Sequence, residues 1–130
     1  TPAAGTTEVW QILNLTADTH PIHFHLVNVQ VLARRPFDPG AYQTPTALGA
    51  TTGTLTFTGP AQGPDPTELG WKETVRMNPA EVTWVIMRFD LPSVPFTVPA
   101  SPRTGGQEYV WHCHILEHEE HDMMRPLVIM

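Results

Sequence analysis

Seven histidines in this 130-residue chain fall into two short clusters, His20, His23 and His25 near the start and His112, His114, His118 and His121 near the end. The second cluster encloses the chain's one cysteine, Cys113, and runs on to Met123 and Met124. Imidazole suits copper, zinc, iron and nickel alike, but two imidazoles with one thiolate and a weak axial thioether narrow the choice to copper poised for electron transfer. Cys113, His118 and Met123 supply three such ligands within eleven residues, and the first cluster can supply the missing histidine. The chemistry to expect is one-electron relay rather than hydrolysis.

These ligands need strands to position them. Fourteen prolines and nine glycines punctuate short apolar runs of period 2, the pattern of an all-β domain. Strands are expected at Glu8 to Leu15, His23 to Arg34, Glu73 to Met77, Glu81 to Phe89, Gln107 to Ile115 and Arg125 to Met130. In Glu81 to Phe89, Val82, Trp84 and Ile86 fall on one face, and Glu81, Thr83, Val85, Met87 and Phe89 on the other. One face should be core and the other partly covered. Trp10, Trp84 and Trp111 read as core residues, while Trp71, after a glycine, suits a loop surface equally well. Residues 36–70 shift to Thr, Gly, Pro and Ala, a long insertion with one short strand expected at Thr54 to Phe57. A second proline-rich stretch, Leu91 to Pro102, joins two strands. A single-domain Greek-key β-sandwich fits this layout.

Alternation along a strand then gives the His-Cys-His sequence its meaning. Cys113 must leave one face while His112 and His114 leave the other, so one peptide addresses two metal sites. His23 and His25 share a face for the same reason, and His20, beyond Pro21, is free to point elsewhere.

The remaining composition excludes more than it assigns. A formal charge of −6 with seven basic residues and no basic run argues against a nucleic-acid or membrane-surface role. No apolar stretch approaches the ~20 residues of a membrane span. One cysteine cannot form an internal disulfide, so redox compartment is not written in the cysteines. The start, Thr1-Pro2-Ala3-Ala4-Gly5, has neither a basic nor an apolar signal region and no initiator methionine. We expect a piece of a longer protein or a processed product, with any secretion signal upstream.

His20-Pro21-Ile22-His23-Phe24-His25 and the run from His112 through Met123-Met124-Arg125-Pro126 resemble the two copper motifs of the last cupredoxin domain of multicopper oxidases. The resemblance is to the branch of bacterial spore-coat laccases and bilirubin oxidases, and Trp71-Lys72-Glu73-Thr74-Val75 extends it. It implies a cupredoxin-like fold over residues 1–130, interrupted by the insertion. It implies type 1 copper held by His20, Cys113, His118 and axial Met123, type 2 copper on His23, and type 3 copper on His25, His112 and His114. Electrons from a phenol, a bilirubin-like pigment or a metal ion would enter at type 1 copper and pass by the Cys-His link to a trinuclear cluster that reduces dioxygen to water. Glu119 matches a glutamate near the dioxygen path, which implies proton delivery. The family completes that cluster with two His-x-His pairs from its first domain, so this chain supplies half the imidazoles and is not expected to reduce dioxygen alone. Its partners are then upstream cupredoxin domains of the same oxidase, and a secreted, periplasmic or spore-coat location is compatible with the resemblance.

Blander readings stand beside these. Cys113 alone could be a buried small hydrophobe, and the early histidines a hydrogen-bonded row. His121 has no place in the motif and reads as solvent-exposed; Met124 reads as packing, and Glu119 and Glu120 as a solvated acidic turn. A free-standing cupredoxin shuttle and a zinc or copper storage module are the rival functions. The second imidazole set counts against a simple shuttle.

Overall fold

The computed structural model describes residues 1–42, 53–96 and 98–130. Seven strands form two antiparallel sheets. β1 (Thr7–Leu13), β5 (Glu81–Arg88) and β3 (Val29–Pro36) make one in the order β1-β5-β3. β4 (Thr74–Met77), β2 (His20–Phe24), β6 (Gln107–Cys113) and β7 (Met124–Ile129) make the other in the order β4-β2-β6-β7. Among the described residues, every connection from β1 to β6 crosses between sheets, and β6 and β7 are the only consecutive strands that pair. The expected all-β sandwich is present. Short helical turns, α1 (Pro39–Tyr42) and α2 (Leu116–Glu120), lie outside the sheets.

The core is the space between the two sheets, filled by one side of each strand. Ile22, Phe24, Val75, Met77, Cys113, Leu127 and Ile129 face Val29, Val31, Val85, Met87 and Phe89, all buried. Trp10 and Trp111 lie edge to face at 5.7 Å between ring centroids and close one flank, with Phe24 stacked on Trp111. Apolar burial of this kind, about 25 cal/mol per Å², is the main term holding the sheets together.

Several sequence expectations need correcting. His23 to Arg34 is not one strand: β2 ends at Phe24 and β3 begins at Val29, in the opposite sheet. The break falls at Leu26, whose φ of 73° is left-handed and costly for a branched side chain. Packing of Leu26 and Val27 against the core offsets that cost, and no Gly or Pro marks the turn. On β5 the face that lines the core is the mixed one. Thr83, Val85, Met87 and Phe89 are buried, while Trp84 turns outward to Phe57 at 6.0 Å. Thr54 to Phe57 forms no strand, only a bridge between Phe57 and Phe37. Residues 43–52 of the insertion lie outside the described residues.

The rest of the insertion straps the free edge of β3. Bridges pair Phe37 with Phe57, Arg34 with Gln62 and Val29 with Lys72, so residues 57–72 cover backbone groups that an edge strand would otherwise expose. A β-bulge between Val31 and Ala33 reverses the alternation of β3 and turns Arg34 inward, opposite Thr83. There the guanidinium meets Glu68 in a two-pronged ion pair at 2.5 and 2.8 Å, and it also donates to the Arg76 carbonyl at 3.0 Å. Arg76 adds a second cation on Glu68 at 3.2 Å and pairs with Asp65. Burial alone would push the Glu68 carboxyl up, but hydrogen bonds from Arg34 and Arg76 outweigh it and bring the pKa down to about 2.

Because the folded pKa of Glu68 lies below its ordinary value of 4.5, the clamp contributes fully above that value and is lost as pH falls toward about 2. Denaturant unfolding of the chain should therefore show stability falling between pH 5 and pH 2, with a shallower fall in Glu68→Gln. Removing one partner of a buried pair costs roughly 3–5 kcal/mol, and Glu68→Ala should show a loss of that order at pH 7. A loss below about 1 kcal/mol would contradict a buried, compensated pair.

Candidate metal centres

The pairing of β2 with β6 builds both candidate sites. Ile22 sits opposite Cys113, His23 opposite His112 and Phe24 opposite Trp111. Alternation then sends His20, Ile22 and Phe24 inward with Cys113 and Trp111, and sends His23 and His112 to the outer face of the same sheet. His25 and His114 extend this ladder past the strand ends, through His25 N–H to the Val110 carbonyl at 3.0 Å and His114 N–H to the Pro21 carbonyl at 2.7 Å.

On the inner face, His20 and Cys113 are buried, at 5% and 0% exposure, and His118 is half-buried. His118 arrives through α2, where the Ile115 carbonyl accepts its N–H at 3.0 Å. The His118 carbonyl then accepts the N–H of Met123 at 3.0 Å, and the Met123 carbonyl accepts that of Cys113 at 3.0 Å. Asp122, at φ 71°, closes the turn in a left-handed conformation that aspartate tolerates better than most residues. These bonds fold one and a half helical turns back over the thiol. The Nδ1 atoms of His20 and His118 stand 3.1 Å apart, and Cys113 Sγ is 3.5 and 3.6 Å from them. A single cation bonded to nitrogen and sulfur at about 2.0–2.3 Å fits within a triangle of that size. Met123 packs against the core beside this triangle, whereas Met124 lies on β7 and is 38% exposed. Burial, followed by the neighbouring His118, lowers the pKa of His20 against an opposing pull from Asp18.

On the outer face, His23, His25 and His112 bring one nitrogen each within 4.8 Å of one another. His114 lies one step to the side, 5.4 Å from His112 and 5.6 Å from His23 between ring centroids. The Glu73 carbonyl at 2.9 Å and the Cys113 carbonyl at 3.0 Å take the Nδ1 protons of His23 and His112, since a carbonyl can only accept. Their Nε2 lone pairs are left for a metal. Glu119 Oε2 lies 3.3 Å from His112 Nδ1, so the carboxylate reaches this imidazole from α2. Burial first, and then His23 and His112, lower the pKa of His25. His25 and His114 are exposed, and the patch opens outward.

Of the residues singled out in the sequence, His20, Cys113 and His118 gather on the inner face and His23, His25 and His112 on the outer, with Met123 packed against the core and His114 and Glu119 at the margin of the outer group. His121 is exposed and takes part in neither, as expected. Sequence reasoning missed the residues that hold the rings: Thr16, whose hydroxyl lies 2.7 Å from His20 Nε2, and Thr74, 3.1 Å from His23 Nδ1. The only signal for Thr16 was its position four residues before His20 in an ordinary polar turn. Thr74 had none.

A sequence model of the family described as multicopper oxidase matches residues 1–130. The chain is 48% identical over 129 residues to a laccase of Bacillus subtilis strain 168, covering 99% of this chain and 21% of that protein. It is 37% identical over 137 residues to multicopper oxidase LPR1 homolog 3 of Oryza sativa subsp. japonica, covering 100% of this chain and 25% of that protein. The crystal structure of the McoA multicopper oxidase from Aquifex aeolicus superposes with a TM-score of 0.61 at 25% identity, over 98% of this chain and 20% of that one. The chain therefore spans about a fifth to a quarter of the length of these relatives. A match along its whole length, together with a two-sheet fold that gathers a His-Cys-His triangle on one face and imidazoles on the other, places this chain in the multicopper oxidase family as a cupredoxin domain.

Proposed function

We propose that this chain is the C-terminal, electron-entry domain of a laccase-like multicopper oxidase. The observation that carries the reading is the register of β2 on β6, which sets a His₂Cys triangle and an imidazole patch back to back on one sheet. In this reading His20, Cys113, His118 and Met123 would hold type 1 copper, His23 type 2 copper, and His25, His112 and His114 type 3 copper. Copper bound there would supply one-electron oxidation of a reducing substrate at the inner site and, at a completed trinuclear cluster, four-electron reduction of dioxygen to water.

The chain's own residues set the terms for that chemistry. Cys113 offers its thiolate inward, and its backbone runs directly into His112 and His114, so the covalent path between the two sites is a peptide unit and an imidazole. The core side chains around the sulfur exclude water, and a soft metal bound there would be what draws the sulfur into its thiolate form. The outward patch is incomplete on its own. Four imidazoles open to one side suit closure by histidines of an upstream cupredoxin domain, which also explains why a free-standing electron shuttle fits less well. Glu119, 3.3 Å from His112 Nδ1, would hold that ring and deliver protons toward the patch, and that contact supports the reading. Phenols, bilirubin-like pigments and metal ions remain the reducing substrates that the family resemblance implies.

Two measurements test this on the complete oxidase. Copper loading should produce the intense visible absorption of a thiolate bound to Cu(II), and Cys113→Ser should abolish it along with substrate oxidation. An unchanged band in that variant would sink the type 1 assignment. Glu119→Gln should leave that band and its bleaching by reductant intact while oxygen consumption falls by roughly 10²-fold, the usual scale for a lost general acid. Equal loss of both steps would instead make Glu119 a structural residue.

A further inference from the structure

The inner-face histidine is held by a chain of hydrogen bonds whose proton directions follow from which atoms can only accept. It begins at Asn14, which is 5% exposed at the end of β1. Its Nδ2 lies 2.7 Å from the Asp18 carbonyl and 2.8 Å from the Met77 carbonyl. Two carbonyls can only accept, so the amide nitrogen is fixed there and Oδ1 faces the other way. Oδ1 then accepts the Thr16 backbone N–H at 2.9 Å and lies 2.7 Å from the Thr16 hydroxyl. At that separation the hydroxyl must donate to Oδ1, since two lone pairs would otherwise oppose each other.

Thr16 Oγ1 also lies 2.7 Å from His20 Nε2. With its one proton already directed at Asn14, the hydroxyl can only accept here, so the imidazole carries its proton on Nε2. Nδ1 is then a lone pair, aimed at the point shared with His118 Nδ1 and Cys113 Sγ. The opposite tautomer would direct an N–H at that point and leave Thr16 and His20 without a proton between them. Asn14 is itself immobile: its backbone N–H and carbonyl bond Glu81 and Ala80, tying the relay to the β4–β5 turn.

We propose that Thr16, oriented by Asn14, is a positioning residue for copper, fixing His20 in the tautomer and ring orientation that a type 1 site requires. The inference rests on the copper reading above, and it adds two residues that touch no ligand atom of the metal. Outer-shell partners of metal-bound histidine typically govern about 10–100-fold in affinity.

The test uses the complete oxidase with Thr16→Val, which keeps the side-chain shape without the hydroxyl, and Thr16→Ser, which restores it. Thr16 is exposed, so neither change disturbs the core, and far-UV circular dichroism checks the fold. Cu(I) affinity is measured against a competing chelator, and the Cu(II) absorption band is recorded for each protein. Thr16→Val should bind Cu(I) about 10–100-fold more weakly with a shifted or weakened band, and Thr16→Ser should recover both. Equal affinity and an identical band in Thr16→Val overturn the inference alone. Failure of Thr16→Ser to recover either property also overturns it, because packing rather than the hydroxyl would then be responsible. No band in the unsubstituted oxidase overturns the copper reading and this inference with it.

Discussion

The alternation of one paired ladder governs everything functional in this chain. Once Ile22 is opposite Cys113 and His23 opposite His112, the side on which each ligand emerges is settled by the pleat. A slip of one residue would exchange the faces, burying two imidazoles in the core and putting the thiol in water. Register is therefore under unusual tension, because both faces of this sheet region carry chemistry. The apolar neighbours Ile22, Phe24 and Trp111 oppose such a slip, since it would turn apolar side chains out from between the sheets.

Much of this was legible in the residues. The His-Cys-His alternation predicted two faces from the period of a strand alone, and ligand type predicted copper on the face that bears the thiol. His20 was harder. Pro21 suggested that it lay outside the strand, yet β2 begins at His20 and simple parity with Ile22 carries it inward. The break at Leu26 left no trace because the apolar pattern continues across it, and tertiary burial, not local propensity, sustains its left-handed backbone. Trp84 was misread as core because its size suggested burial, whereas Thr83 is the buried residue despite its hydroxyl. Hydrogen-bond partners such as Thr16 and Thr74 lay beyond reach, because their roles depend on where a ring nitrogen ends up in space.

The frame around the sites is built with equal economy. A one-residue bulge in β3 redirects Arg34 into the interior, and Glu68 arrives from the strap to meet it. That ion pair joins β3, the strap and, through Arg76, β4, which pairs with the histidine strand β2. The bulge is thus tied to the element that carries His20 and His23. The strap also covers the edge of a sheet whose exposed strand would otherwise invite pairing with another chain.

The inner-face ligands come from opposite ends of the chain, with His20 and His118 separated by 98 residues and His20 and Cys113 by 93. Since successive strands up to β6 alternate between sheets, almost no local pairing can bring these ends together early, and the long loop between them must be closed first. During synthesis the triangle cannot form until Cys113 and His118 have emerged. On the copper reading, metal capture at this site is consequently a late event, and a chain arrested or misregistered at any earlier strand presents no ligand set with which to trap the ion.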